Sequence, residues 1–405
     1  MAFDLEVGGH HAGYLQNLVR VWGARNRAGA LCLALSPALI GSHPELVADA
    51  RNADVTVVPT QIHPPSSSAL LRWLPAEVRL AERAMREWRA LCRVATEQRA
   101  AHVMALYVDG LLQTPLALGM RAPCRVSGLY FRPTFHYGSF EGHSPDLKER
   151  LRALRQKIIV ARALAHPALD TLFCLDAYAV DYMTAHFRHG HRTRHLADPV
   201  HVHPESSEVV TALRSELGIP DGMLVLLLFG MITPRKGLLE VLAAVRLLSA
   251  EEAGRICLLV VGPHAADFRE TAAASVQATR QATRATIVIH ERFVPDAENQ
   301  RWFGLADIVL APYQRHVGMS AILVRAAAAE KPVLADQFGL LGEVTRRRHL
   351  GVTVDAGNPE AIARGLRDLM TVRGAAVDRE SQRALTLENS ATAFADAIFE
   401  KIAPQ

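Results

Sequence analysis

Apolar residues follow two patterns along this chain. Unbroken runs such as Leu224-Val225-Leu226-Leu227-Leu228-Phe229 and Ile308-Val309-Leu310-Ala311 read as strands buried on both faces. Between such runs, apolar positions return at helical spacing, as at Tyr14, Leu15, Leu18, Val19 and Trp22. In the first half this predicts strands at Phe3–Val7, Ala30–Leu35, Asp54–Pro59, Val103–Val108, Arg125–Phe131 and Thr171–Leu175. Helices are expected after Gly9, over 69–99 and over Leu147–Leu164. In the second half, strands are predicted at 224–229, 256–261, 286–290, 308–311, 332–335 and 351–355. The helices there are 238–249, 267–282, 298–304, 321–329, 359–370 and 390–402. Strand and helix alternate throughout, so the fold class is α/β, with helices on both faces of mostly parallel sheets. A length of 405 residues suits two domains of about 150–200 each. Residues 184–206, rich in His and Pro, are expected to cross between them.

Composition narrows the class. With 50% hydrophobic and 21% charged residues, the chain can bury two ordinary cores and shows no disordered tail. No apolar run reaches the roughly 18 residues of a membrane span, and the acidic start Met1-Ala2-Phe3-Asp4-Leu5-Glu6 is unlike a secretory signal. Five scattered cysteines without metal-type spacing read as free thiols of a reducing cytoplasm. Residues 1–200 hold 23 Lys and Arg against 17 Asp and Glu, the remainder 22 against 24. The basic half suits an anionic ligand or surface. The excess is too dispersed for nucleic acid, and no nucleic-acid module is present. Helices 69–99 and 147–166, studded with arginine, allow peripheral contact with a membrane, although their glutamates also suit ordinary pairing on a wet face.

Candidate chemistry sits where strands end, since ligands of open α/β sheets bind at strand C-termini. Gly8-Gly9-His10-His11 lies between the first strand and first helix, Asp109 follows the fourth strand, and Arg132 to His136 follow the fifth. Gly8, Gly9, Arg132 and His136 are candidate acceptor contacts. His10 or His11 is a candidate general base, with Asp109 to orient it. In the second half, Gly230…Arg235-Lys236-Gly237 and His316-Val317-Gly318-Met319-Ser320 each join a buried strand to a helix N-terminus, a place that favours phosphate.

These second-half residues carry a resemblance. Phe229-Gly230…Lys236-Gly237, Val260-Val261-Gly262, Phe293-Val294-Pro295, Ala306-Asp307-Ile308…Pro312-Tyr313, Ala326-Ala327…Lys331-Pro332-Val333, Gly339…Glu343 and Gly351…Val354-Asp355 resemble the donor half of GT-B glycosyltransferases, family 4 most of all. The first half is similar only through Gly8-Gly9-His10 and its alternating topology. The resemblance implies two Rossmann-like domains facing across a cleft: residues 1–200 for the acceptor, 201–385 for a nucleotide-diphosphate sugar, and 386–405 as a helix returning to the first domain. It places Arg235 and Lys236 at the diphosphate, where cations stabilise the departing group. Gly230, Phe293, Val294, His316, Gly318, Met319, Ser320 and Arg325 would complete the donor site. The family's two glutamates, eight positions apart, fall on Val317 and Arg325, and the arginine that often follows the first glycine is Met231. His316-Val317-Gly318…Ser320 is similar to the phosphate-holding pattern of family-1 enzymes.

The function implied is transfer of a sugar from a UDP- or GDP-type donor to a hydroxyl acceptor, a glycan, lipid or small molecule. The resemblance implies retention at the anomeric carbon and no metal or other cofactor, while the missing glutamates and the His/Asp arrangement leave inversion open. The alternative is a catalytically inactive GT-B protein that binds a glycan, nucleotide or protein. A two-domain dehydrogenase is excluded, since no Gly-x-Gly-x-x-Gly opens a helix.

Overall fold

The computed structural model describes residues 1–8, 10–25, 29–62, 76–109, 112–140, 145–371 and 377–402. Gly9 therefore lies outside the described residues. The chain divides into two compact units, one of Met1–His136, Pro145–Pro199 and Ala391–Gln405, the other of Tyr137–Ser144 and Val200–Ser390.

The first unit is built on strands β1 (Ala2–Asp4), β2 (Cys32–Leu35), β3 (Thr56–Pro59), β4 (His102–Ala105), β5 (Arg125–Tyr130), β6 (Leu169–Cys174) and β7 (Thr193–His195). They pair in the order β3-β2-β1-β4-β5-β6-β7, all parallel. The edge strand β7 falls inside the stretch read from sequence as a crossover. Its residues Thr-Arg-His bury one position of three, as an edge strand needs and as no apolar pattern reports. The first strand stops at Asp4 and the fourth at Ala105, both earlier than their apolar patterns suggest, so Glu6 and Asp109 stand on loops. Helices α1 (His11–Ala24), α2 (Ala76–Glu97), α3 (Gln113–Ala117) and α4 (Leu147–Leu164) surround this sheet. Asp146 and Glu149 close a reciprocal capping box at the start of α4.

The second sheet holds β8 (Leu224–Phe229), β9 (Ile256–Val261), β10 (Thr286–His290), β11 (Ile308–Ala311), β12 (Val333–Asp336) and β13 (Gly351–Val354). Their order is β10-β9-β8-β11-β12-β13, again all parallel. Every residue of β9 and β11 is buried, because helices cover both faces. Helix α5 (Ala321–Ala328) follows β11. Besides helices at 238–245, 269–282, 299–305 and 359–371, which the periodicity predicts, the unit has helices at 207–216, 339–347 and 379–388, which it does not.

The last helix, α6 (Ala391–Ile402), belongs to the first unit. Phe394 packs 4.9 Å from the Tyr14 ring, Phe399 packs 5.3 Å from Trp22, and Arg25 pairs with Asp396 at 2.5 Å. Phe394 is wholly enclosed, so Phe394→Ala is expected to destabilise the first unit by about 3–5 kcal/mol, read from chemical denaturation. No helix among the described residues is long and apolar enough to cross a membrane.

Candidate functional site

In the first unit the loop between β1 and α1 opens into a cavity of about 700 Å³. Gly8, His10, His11, Asp109 and Arg132 all line it, so the structure gathers five of the residues singled out from sequence. Glu6, Arg83, Tyr107 and Phe131 join them. A Cβ on Gly8 would meet nothing within 4 Å, so the space beside this backbone is open.

The carboxylate that orients His11 is Asp4, not Asp109. Asp4 closes β1, almost fully buried, and its Oδ2 lies 2.6 Å from His11 Nδ1. Its other oxygen accepts the Glu6 amide at 3.0 Å. Burial works to lower the His11 pKa, but the bond to Asp4 and its charge outweigh this, and the net shift is upward. Burial raises the Asp4 carboxyl, with His11 opposing. With Nδ1 held, Nε2 is the imidazole nitrogen left for chemistry. The ring is also flanked by Tyr107 at 5.6 Å and Phe131 at 6.3 Å.

Asp109 has a different task. It accepts the backbone amides of Phe131 at 2.7 Å and Arg132 at 2.8 Å, tying the loop after β4 to the end of β5. Burial pushes its pKa up to about 6 against those two bonds. Arg83 bridges Glu6 and Glu87, the latter at 2.7 Å, and fixes one wall. His10 stacks on Tyr14, whose hydroxyl donates to Asp198. His136 is a correction: its ring is buried with Nε2 3.0 Å from Asp176, away from the cavity. Asp176 also caps the following helix through the amides of Tyr178 and Ala179, so the pair holds the frame.

In the second unit, two glycines bring the loop after β8 against the loops after β9 and β11. Gly262 has φ +132°, and a Cβ there would lie 2.1 Å from the Gly230 carbonyl oxygen. Gly237, at φ +74°, packs against Pro312, whose carbonyl oxygen would sit 2.3 Å from a Cβ. Neither position has room for a side chain. Lys236 lies between them on a short turn, 8% exposed. Its Nζ donates to the Phe229 carbonyl at 2.9 Å and the Tyr313 hydroxyl at 2.7 Å, which leaves one of its three protons. Arg235 donates to His316 Nδ1 at 2.7 Å, and His316 Nε2 lies 3.3 Å from the Met319 carbonyl. An imidazole that accepts at one nitrogen and donates from the other is neutral, and burial lowers its pKa accordingly. Ser320 caps α5 through the Ile322 amide. Lys236 with Phe229 and Tyr313, and Arg235 with His316 and Met319, thus form two bonded groups around the ends of β8 and β11, with Gly230 beside the Lys236 Nζ and Gly318 beside the His316 ring.

Residues 224–372 match the profile of the family described as "Glycosyl transferases group 1". Over this stretch the chain is similar to group 1 glycosyl transferases. A D-inositol 3-phosphate glycosyltransferase of Streptomyces coelicolor is 34% identical over 165 residues, which are 39% of this chain and 35% of the relative. The match therefore spans about a third of that protein's length. Two solved structures share the GT-B fold over nearly the whole chain. Anabaena HepE in complex with UDP and glucose has a TM-score of 0.60 and 14% identity, covering 98% of this chain and 97% of its own. Sucrose-phosphate synthase from Thermosynechococcus elongatus has a TM-score of 0.63 and 15% identity, with the same coverage.

Arg325 lies within the matched stretch. It is buried, and its guanidinium donates to the His201 carbonyl at 3.0 Å and pairs with Asp296. Arg325 thereby ties the first segment of the second unit to the turn before 299–305. Phe293, by contrast, is 76% exposed while Val294 is buried. Tyr313, which holds Lys236, was singled out only as part of a motif; its role depends on a contact 77 residues away.

Proposed function

We propose that this protein transfers a sugar from a nucleotide-diphosphate donor, of UDP or GDP type, to a hydroxyl acceptor. The observation that carries the reading is the Lys236 cluster in the stretch similar to group 1 glycosyl transferases: a buried cation with a proton to spare at a strand end, beside Arg235 and the start of α5. Such a site stabilises charge that grows on a departing diphosphate, and Lys236 and Arg235 supply it without a metal. Anabaena HepE in complex with UDP and glucose supports a uridine donor. The first unit's cavity takes the acceptor, with His11 Nε2 placed to receive a hydroxyl proton and Arg132 and Gly8 as contacts. The cytoplasm, where nucleotide sugars are made, is the proposed setting, with peripheral contact at the inner membrane face.

Retention at the anomeric carbon follows from family 4 resemblance. The Asp4–His11 pair favours a second reading, inversion with His11 as base, and the anomeric configuration of the product by NMR separates them. Val317 and the occupied Arg325, where the family carries glutamates, favour a catalytically silent binding protein. A panel of nucleoside diphosphates and their sugars tests the donor site. One member is expected to raise the melting temperature, since a ligand at about 100 times its Kd adds roughly 2.7 kcal/mol. A shift with neither donor hydrolysis nor transfer would leave the binding protein.

A further inference from the structure

Helix α4 leaves one apolar face exposed along most of its length. Of its 18 residues only Val160, Ala163 and Leu164 are buried. Leu147, Leu151, Leu154 and Ile158 recur at the spacing of one helical face, and they are 75%, 60%, 56% and 53% exposed. Leu118, just past α3, and Val78 and Leu80, early in α2, are exposed as well. A patch of this kind marks a surface that binds something.

The charge beside it says what. Helix α4 carries Lys148, Arg150, Arg152, Arg155, Lys157 and Arg162 against the single acid Glu149. Among the described residues Arg150 donates to the Pro145 carbonyl and Lys157 lies over the Tyr182 ring, and no carboxylate pairs with any of the six. Two copies of this chain meeting through the face would set like charges together, which disfavours a dimer. A groove of about 280 Å³ runs between α2, α3 and α4, walled by Leu80, Leu118, Ile158 and Ile159, with Arg155 and Arg162 also lining it. Leu80 and Gln113 line both this groove and the cavity that holds His11. Exposed leucines, cations without a carboxylate partner and an apolar groove that shares two lining residues with the cavity of His11 match, in turn, the boundary, phosphate and acyl chain of an anionic lipid.

We infer that this face docks on an anionic lipid bilayer, and that the groove takes the chain of one lipid with its head group directed at the acceptor cavity. That such a lipid is the acceptor rests on the transferase reading; the docking does not. The test is flotation of the full chain with phosphatidylcholine vesicles, with and without phosphatidylglycerol. The protein is expected to float with the anionic vesicles only. Leu151→Glu with Leu154→Glu, and separately Arg155→Glu with Arg162→Glu, should abolish flotation, while melting temperature and its rise with nucleotide stay as in the parent, since all four positions are exposed on the first unit. Equal binding to both vesicle types, binding to neither, or unchanged flotation of the variants would overturn the inference. So would retention on polyglutamate as strong as on vesicles, which would point to an acidic protein. Loss of the nucleotide response with flotation intact would sink the transferase reading alone.

Discussion

Replacing His11 by alanine is expected to lower sugar transfer by about two to four orders of magnitude, with the nucleotide-induced rise in melting temperature intact. The residue belongs to the first unit, whereas the Lys236 cluster belongs to the second. Its Nδ1 is engaged by Asp4 at 2.6 Å, so the proton of an acceptor hydroxyl goes to Nε2. An imidazole accepts a proton only when neutral, and Asp4 holds the His11 pKa above 6.5 in spite of burial. Transfer should therefore rise with pH through a limb above 6.5. Asp4→Asn removes the group that raises the pKa and leaves the burial that lowers it, so the limb should move to lower pH while the maximum rate falls. A loss of less than about tenfold in His11→Ala would assign the proton to the leaving diphosphate, and with it the retaining course.

Lys236→Met is expected to weaken nucleotide-diphosphate binding by roughly ten- to a hundredfold, since a bond to a charged group contributes about 1.5–3 kcal/mol. The methionine keeps the apolar stem and so limits the cavity that alanine would leave. Lys236 also joins Phe229 to Tyr313, and a loss of stability is expected from the unpaired Phe229 carbonyl, of order 1–3 kcal/mol. Tyr313→Phe separates the two effects. It removes the hydroxyl bond, keeps the ring 4.1 Å from Nζ, and should loosen the lysine without removing its charge. Calorimetry with UDP would settle it: an affinity in Lys236→Met equal to that of the parent chain rules out the donor site at this cluster.

What was legible in the sequence follows from what burial does to composition. Strands β8, β9 and β11 are enclosed on both faces, so they are unbroken apolar runs and their ends could be read to the residue. The strand β7 sits at a sheet edge with Arg194 and His195 exposed, and nothing in its composition marks it. The helix at 339–347 begins at Gly339, whose φ of +70° and close approach to the His316 carbonyl demand glycine, and a second glycine at 342 hides its period. Loops at strand ends announced a site, and His10, His11, Asp109 and Arg132 do meet around one cavity. Which carboxylate serves which histidine was not legible. Asp4 and His11 are seven residues apart across a strand, a loop and a helix start, a separation without a periodic signature. His136 and Arg325 show the same limit from the other side, because a charged residue at a loop or helix start reads alike whether it faces a ligand or a buried partner.

The return of α6 to the first unit sets the order in which the chain can mature as it is made. When Ser390 has been added, all of the second unit has been made, and its core can close. The first unit, though synthesised earlier, still lacks Phe394, Ile398 and Phe399, which fill the space over Tyr14 and Trp22. The unit whose strands are made earlier is thus completed after the later one, and until α6 is released it presents an apolar trough of the kind that holding chaperones recognise.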